Sequence, residues 1–244
     1  MTLRIVVRTL SELCVTIGAL IVLLVVYVLY WTGIRADSAM DDQMDSLTKQ
    51  WATQDKNPGG SQNAAAESGP PEALHDDSSY ESGKAFAVMY IPRFGSGWKK
   101  PLLQGTDTET LKKGLGHYKG TAALGGEGNF SVAGHRRTYG DPLKDFPKLR
   151  PGDSIVLNDG QAWYTYKIDS RPYKTLPDDT GVLNEVPKPL DPGAAPYDRP
   201  GRYLTLTTCE PEWGHSHRLI TWAHLDEVRA ASEGKPAVLG GAGG

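Results

Sequence analysis

The sequence predicts a mainly β domain, a barrel or sandwich, that follows an N-terminal membrane anchor. Gly and Pro account for 28 and 17 of the 244 residues. They separate short runs rich in β-branched and aromatic residues, which is typical of strands joined by turns. The long amphipathic helices of a βαβ fold are missing from the sequence. A composition of 39% hydrophobic and 23% charged residues is that of a globular domain, and a net charge of −3 indicates no nucleic-acid partner.

The first element is an apolar span at residues 13–31, which we interpret as a transmembrane signal anchor. These 19 residues carry no charge, and as a helix they would cover about 28 Å, close to the thickness of a bilayer's hydrocarbon core. Because Arg4 and Arg8 precede the span, we expect residues 1–12 to be cytoplasmic. The chain after the span is then extracellular, on a single-pass protein of the cell membrane.

A cleaved signal peptide is the alternative interpretation of the same span. The apolar region of a signal peptide is about 7–15 residues long and is followed by a cleavage site of small residues. This run is longer and ends in bulky aromatic residues, so an uncleaved anchor is favoured. A mature N-terminus near Ala36 would indicate cleavage instead.

Residues 32–85 are predicted to form an extracellular linker. Positions 36–85 hold ten acidic and three basic residues, together with several Pro, Gly and Ser residues. Asp37–Gln54 is compatible with an extension of the membrane helix by a few turns. The remainder has too few apolar residues to form a core, so we expect a flexible, solvated spacer.

Residues 86–232 are predicted to form the globular domain, and residues 233–244 a flexible tail. A domain of this length is large enough to bury a core of its own. Strands are predicted at Ala87–Ile91, Asn129–Gly134, Asp153–Leu157, Ala162–Ser170, Tyr203–Cys209 and Arg218–Leu225. Short helices are predicted at Thr108–Gly114, Pro142–Phe146 and Asp226–Ser232.

Cys209 is the lone thiol of this domain, because Cys14 lies in the apolar span. An unpaired thiol in an exported domain is either buried and inert or chemically used. Cys209 ends the predicted strand YLTLTTC, and Pro211 stops that strand shortly afterwards. A side chain at the end of a strand, beside a loop, is placed where a substrate can reach it.

A nucleophilic thiol needs a neighbour that accepts its proton or favours the thiolate. The domain offers five histidines, at positions His117, His135, His215, His217 and His224. His135 is the strongest candidate, because it follows a buried strand that ends at Gly134. Arg218 opens the strand after Cys209, and an antiparallel hairpin would bring its guanidinium back toward the thiol. The register of that hairpin stays open, since a slip of one residue turns the side chain to the other face.

These sites resemble the sortase family. The run TLTTC at Thr205–Cys209 matches its TLxTC signature, and GNFSVAGHR at Gly128–Arg136 matches its strand followed by histidine. The arginine of the family pattern corresponds to Arg218 in HRLITWAHL. The resemblance extends over roughly Phe86–Leu225. It implies an eight-stranded sortase β-barrel and cysteine transpeptidation without a metal or other cofactor.

The resemblance also implies roles for single residues. Cys209 would be the nucleophile and His135 the acid/base group, while Arg218 would steady the substrate carbonyl and the oxyanion. The backbone N–H of Glu210 would be a second oxyanion donor. Thr207 and Thr208 would line the site.

The short loop after the cysteine, the anchor and the AGHR context look most like class E, with class D as the near alternative. The resemblance implies cleavage after Thr of a C-terminal LAXTG or LPXTG sorting signal on surface proteins, with LAXTG preferred in class E. The acyl group would then pass to an amine of a cell-wall precursor. Tyr90 is expected to contact the second residue of the signal.

Three other functions remain open on the residues alone. A cysteine peptidase of another family would also use Cys and His, although papain-like enzymes place the cysteine at a helix N-terminus. A zinc site could draw on Cys209 and the histidines that follow it, but CxxC and HExxH spacings are missing. In a non-enzymatic surface binding module, TLTTC would be a core strand.

Overall fold

The computed structural model describes residues 2–54 and 80–240. The helices are α1 (Thr2–Gln54), α2 (Thr108–Leu111) and α3 (Ala237–Gly240). The strands are β1 (Ala85–Tyr90), β2 (Lys99–Gln104), β3 (Leu115–His117), β4 (Gly128–Ala133), β5 (Ser154–Asn158), β6 (Ala162–Ile168), β7 (Tyr173–Thr175), β8 (Arg202–Glu210) and β9 (His217–Ala230). The predicted spacer at 55–79 and the last four residues of the predicted tail lie outside the described residues.

Eight strands close into a barrel. They follow one another in the order β6-β5-β1-β2-β3-β4-β8-β9, and β9 pairs back with β6. The short strand β7 pairs with β9 outside this ring. Within the ring, β2–β3 and β4–β8 are parallel and the other pairs are antiparallel. The mainly β class and the eight-stranded barrel are therefore confirmed, and the sandwich is excluded.

The predicted elements agree with the observed ones where a long run of apolar residues marks the strand. All six predicted strands are present, with shifted ends, and α2 covers the first part of the helix predicted near Thr108. The sequence missed β3 and β7, which have three residues each, and β2, which begins with two lysines and contains a proline. Such segments carry no readable alternation of apolar and polar residues.

Two helix predictions were wrong. Asp226–Ser232 is not helical, because β9 continues to Ala230 and its second half pairs with β6 to close the barrel. Pro142–Phe146 forms turns, and a short 3-10 helix begins only at Phe146 and ends at Lys148. Pairing in the sheet outweighed local helix preference in the first case.

Alternation along the strands assigns each side chain to the inside or the outside of the barrel. Leu204 and Leu206 of β8 lie in the main core, in contact with the core residues of β4 such as Phe130 and Val132. Odd-numbered residues of β8 therefore face outward. Cys209 consequently lies on the outer surface of the barrel, at the end of the strand.

Helix α1 has two parts. Arg4–Tyr27 is mainly apolar, contains an 18-residue stretch with a mean hydropathy of 2.4, is exposed along its length, and is long enough to cross a membrane. Past this span, the helix lies against the outside of the barrel. Leu47 packs there with Val88 of β1 and Leu103 of β2.

Candidate active site

Strand pairing places Arg218 beside Cys209. In the antiparallel pair β8–β9, the two residues are directly opposite each other, so their side chains project from the same face of the sheet. The Arg218 guanidinium donates hydrogen bonds to the carbonyl oxygens of His215 and His217, each at 3.0 Å. These bonds hold it over the loop that follows Cys209. The hairpin predicted from the sequence is therefore present, in the register that brings the two side chains together.

His135 approaches Cys209 from the opposite side. Strand β4 runs parallel to β8 with Ala133 opposite Thr207, and the Gly134 N–H continues the ladder by donating to the Thr207 carbonyl at 3.1 Å. The same register, continued by two residues, aligns His135 with Cys209. The two side chains line one open cleft of about 190 Å³.

The three candidate residues therefore come from three adjacent strands or their ends: His135 and Cys209 line the cleft, and Arg218 lies beside Cys209 on β9. The central strand of the three, β8, presents a partly exposed thiol at Cys209, which is a free cysteine. An imidazole lies on the β4 side and a guanidinium on the β9 side. This arrangement combines a nucleophile, a proton acceptor and a donor of hydrogen bonds to an oxyanion.

Close packing at Gly134 fixes the chain just before His135. A Cβ atom at this position would lie 2.6 Å from Leu115 Cδ2 and 2.7 Å from Leu143 Cδ1, so there is no room for a side chain. The Thr208 hydroxyl donates to the Gly134 carbonyl at 2.8 Å. Thr208 is buried, with 3% exposure, and it holds β4 against β8 rather than lining the cleft as the resemblance implied.

Thr207 lies on the same outward face of β8 as Cys209, but it too is covered. Its hydroxyl is 3.1 Å from the hydroxyl of Tyr118, which follows β3. The partly exposed phenol of Tyr118 reaches across β4 to this point. Sequence analysis missed Tyr118, since its approach depends on the pairing of β3, a strand that was not predicted.

The structure does not bring Tyr90 to the cleft. Its ring packs against Trp163 at 5.7 Å and belongs to the cluster covered by α1. Strand β1 is separated from β8 by three strands of the barrel wall. The structure therefore places Tyr90 away from the cleft, and its contact with the signal stays an expectation from the resemblance alone.

The remaining histidines differ in their surroundings. His117 is fully buried, stacked on Phe130 at 4.5 Å and hydrogen-bonded to Gln104. His224 pairs with Asp169. His215 does line the cleft, on the loop after β8. Among the described residues, no group of three or more His, Cys, Asp or Glu side chains is arranged to hold a metal ion.

A buried ion pair joins the two strand ends of the site. The Arg136 guanidinium contacts the Glu210 carboxylate, and their side chains are 9% and 22% exposed. These residues directly follow His135 and Cys209, so the pair fastens the end of β4 to the end of β8. The sequence assigned Glu210 through its backbone N–H, and the role of its side chain was missed.

A second, more exposed pair borders the cleft. Arg137 Nε lies 2.8 Å from Glu212 Oε1, and the guanidinium is 4.7 Å from the centre of the Trp213 ring. Trp213 is largely exposed on the loop between β8 and β9. These residues form the outer wall of the cleft above the thiol.

The imidazole of His135 is biased toward its neutral form. Burial and the positive charge of Lys112 lower the pKa of His135 below its usual value. Its Nε2 atom is buried and has no hydrogen-bond partner among the described residues. A neutral imidazole with an unoccupied nitrogen can accept a proton from a group that enters the cleft.

Replacing Glu210 with Ala should destabilise the fold, because it leaves the buried Arg136 guanidinium unpaired. We expect the free energy of unfolding to fall by about 2–3 kcal/mol, as measured by urea denaturation. Glu212→Ala is the control, since it removes one of the two carboxylate partners of the more exposed Arg137, which keeps Asp141, and it should cost less than about 1 kcal/mol. Equal losses in the two variants would contradict this account.

Replacing Lys112 with Met should raise the pKa of His135. The ammonium disfavours the imidazolium, so its removal makes protonation easier and moves the titration to higher pH. The shift can be followed by NMR of the His135 ring protons. Lys113→Met, a change of the exposed neighbouring lysine, should leave the pKa of His135 unchanged. An unchanged or lowered pKa in Lys112→Met would refute the assigned electrostatics.

Comparison with known proteins agrees with the geometry. A family model described as the sortase domain matches residues 89–226. The chain is 34% identical over 239 residues to Sortase SrtE1 of Streptomyces coelicolor, covering 95% of this chain and 60% of that protein. It is 32% identical over 229 residues to Sortase SrtE2 of the same organism, covering 90% of this chain and 81% of that protein. The chain thus spans less than two thirds of the length of SrtE1.

Solved structures give the same result for the barrel. The structure of sortase E from Streptomyces avermitilis has a TM-score of 0.61 and 62% identity, covering 66% of this chain and 99% of that one. Sortase E1 from Streptomyces coelicolor, crystallised with a tripeptide in its active site, has a TM-score of 0.59 and 36% identity, covering 64% and 97%. The chain therefore belongs to the sortase family, and its similarity to proteins named sortase E assigns it to class E.

Proposed function

We propose that this protein is a cysteine transpeptidase that acts on C-terminal sorting signals. The observation that supports the proposal is that the Cys209 thiol shares an open cleft with His135 and lies directly opposite Arg218 in the β8–β9 pair. Membership of the sortase family makes acyl transfer the matching reaction class. In the proposed role, Cys209 is the nucleophile, His135 the acid/base group and Arg218 the oxyanion donor.

The first half of the reaction forms a thioester. The Cys209 sulfur attacks the carbonyl carbon of the signal's Thr, and His135 takes the thiol proton. The tetrahedral intermediate carries a negative oxygen, which the Arg218 guanidinium can stabilise. Arg218 has five N–H donors, so it can serve the oxyanion while it keeps its bonds to the loop carbonyls. The C–N bond then breaks, and the departing amine receives the proton from His135.

The second half transfers the acyl group to an amine. The incoming amine attacks the thioester carbonyl, loses a proton to His135, and expels the Cys209 sulfur, which recovers its proton. The thioester keeps the acyl group activated, so one amide is exchanged for another without an external energy source. Transfer succeeds only where the amine outcompetes water for the thioester.

The proposed setting is the outer face of the cell membrane. Residues 13–31, which overlap the membrane-length apolar part of α1, would be the anchor, with the N-terminus in the cytoplasm and the barrel outside. Substrates would be surface proteins that end in a LAXTG or LPXTG signal, with LAXTG preferred as in class E. The acceptor would be an amine of a cell-wall precursor.

A transfer assay tests the proposal directly. The full chain in detergent is incubated with a LAXTG or LPXTG peptide and a short glycine amine, and the products are analysed by mass spectrometry. We expect a thioester on Cys209, a transferred product, and faster turnover of the LAXTG peptide. Cys209→Ala should abolish both species, whereas Cys14→Ala, which changes the thiol in the span, should retain them. Hydrolysis alone, under saturating amine, would point to a peptidase of another kind.

Arg218 should act on the rate of the chemical step. Loss of one oxyanion donor costs about 10²–10³ in kcat, so we expect a fall of that order in Arg218→Gln. The rate at which a small reagent alkylates Cys209 should change far less, because no oxyanion forms in that reaction. Arg171→Gln, at an exposed arginine outside the Cys209 cleft, is the control and should keep the wild-type kcat. A wild-type kcat in Arg218→Gln would contradict the assignment of Arg218 as the oxyanion donor.

A further inference from the structure

The part of α1 beyond the apolar span lies against the barrel along one stripe. Ala36, Met40 and Leu47 are buried, with 3%, 3% and 1% exposure. Their spacing puts them on one face of a helix. At the far end of the stripe, Leu47 packs on β1 and β2. The N-terminal end of the stripe, around Met40, instead contacts the loop that follows His135.

The contact between α1 and this loop is made at Gly140. A Cβ atom on Gly140 would lie 2.8 Å from Asp37 Oδ1 and 3.1 Å from Met40 Cε, so the glycine backbone lies directly against these two side chains. Gly140 has φ +78°, and its neighbours Tyr139 and Asp141 have φ values of 54° and 49°. Two non-glycine residues in the left-handed region cost free energy and persist only where the surroundings hold them. Helix α1 is one of the elements that pack against this loop.

Two of these residues, Tyr139 and Asp141, contact residues that line the cleft. The Tyr139 ring is 4.9 Å from the His135 imidazole, centre to centre. The Asp141 carboxylate accepts a hydrogen bond from Arg137 at 3.3 Å. The His135 carbonyl accepts the N–H of Leu143 at 3.1 Å, which closes the loop on itself. A displacement of the loop at Gly140 would therefore move the ring that packs on His135.

Electrostatics add to this contact. Lys100 Nζ lies 3.4 Å from Met40 Sδ. Burial lowers the pKa of Lys100, and the carboxylates of Asp37 and Asp41 on the helix and Asp141 on the loop oppose that effect. The ammonium is thus attracted to the helix and to the loop at once. Lys144, also on the loop, is the one repelling charge among the groups that act on it.

We infer that Asp37 and Met40 are positioning residues for the proposed reaction. By packing on Gly140 they hold Tyr139–Asp141 in the left-handed conformation, and the Tyr139 ring in turn fixes the imidazole of His135 beside Cys209. The inference rests on the proposed function and deepens it. It gives the helix beyond the apolar span a part in catalysis that is separate from attachment to a membrane.

The test uses the full chain in detergent with a LAXTG peptide and a glycine amine. Met40→Ala removes the side chain that touches Gly140, so kcat should fall at least fivefold while KM for the peptide stays within twofold. The acid limb of kcat/KM against pH should move to higher pH, because a looser ring leaves His135 less buried while Lys112 stays in place. Met40→Leu restores most of the side-chain volume. It should return kcat and the acid limb of the pH profile to their wild-type values. A smaller fraction of folded enzyme would lower kcat without moving the pH profile.

Leu47→Ala is the matched control. Leu47 belongs to the same buried stripe but packs on β1 and β2, so its loss should lower the melting temperature and leave kcat and the pH profile unchanged. A Met40→Ala chain with the wild-type kcat and pH profile overturns the inference alone. So does a Leu47→Ala chain that shows the same shift as Met40→Ala. A wild-type chain that forms no thioester overturns the proposed function, and this inference with it.

Discussion

The site depends on the two pairings of β8, parallel with β4 and antiparallel with β9. The first brings His135 alongside Cys209 and the second sets Arg218 opposite it. In the sequence His135 lies far from Cys209, 209 − 135 = 74 positions before it, whereas Arg218 follows it by only 218 − 209 = 9 positions. Both pairs belong to the closed barrel, in which β9 also pairs with β6. A slip of one residue would turn one of these groups into the core.

Local interactions then hold the strand ends in place. The Arg136–Glu210 pair and the Thr208–Gly134 hydrogen bond both join β4 to β8 within one residue of the reacting groups. Buried, satisfied polar groups of this kind favour a single arrangement, because any alternative leaves them without partners. The rigid part of the site is therefore the base of the cleft. Its outer wall, with the exposed Trp213, rests on a loop.

The sequence was most informative where chemistry and strand pattern coincide. Cys209, His135 and Arg218 each stand at the end of a strand with a clear apolar pattern, and the structure brings all three together. Sequence analysis placed Tyr90 and Thr208 at the site, whereas the structure places both outside the cleft. Their positions depend on which strand lies next to which. Burial of Thr208 follows from its inward register, which no local pattern reveals.

The packing of α1 on the barrel is a second feature that sequence analysis did not predict. Met40 and Leu47 form a buried stripe only in combination with β2, which was not predicted, and with the backbone of Gly140. An acidic, mostly polar segment after an apolar span looks like a spacer in the sequence. Its packing depends on a surface that forms only when the barrel closes.

The central claim is that Cys209 lies between His135 and Arg218 when it carries an acyl group. A crystal structure of the protein with a LAXT peptide mimic bound covalently to Cys209 tests it most directly. The account predicts that an Arg218 N–H lies within about 3.2 Å of the carbonyl oxygen of the adduct, with the imidazole of His135 on the opposite side of the sulfur. An adduct whose carbonyl points away from Arg218, with His135 out of reach of the sulfur, would contradict it.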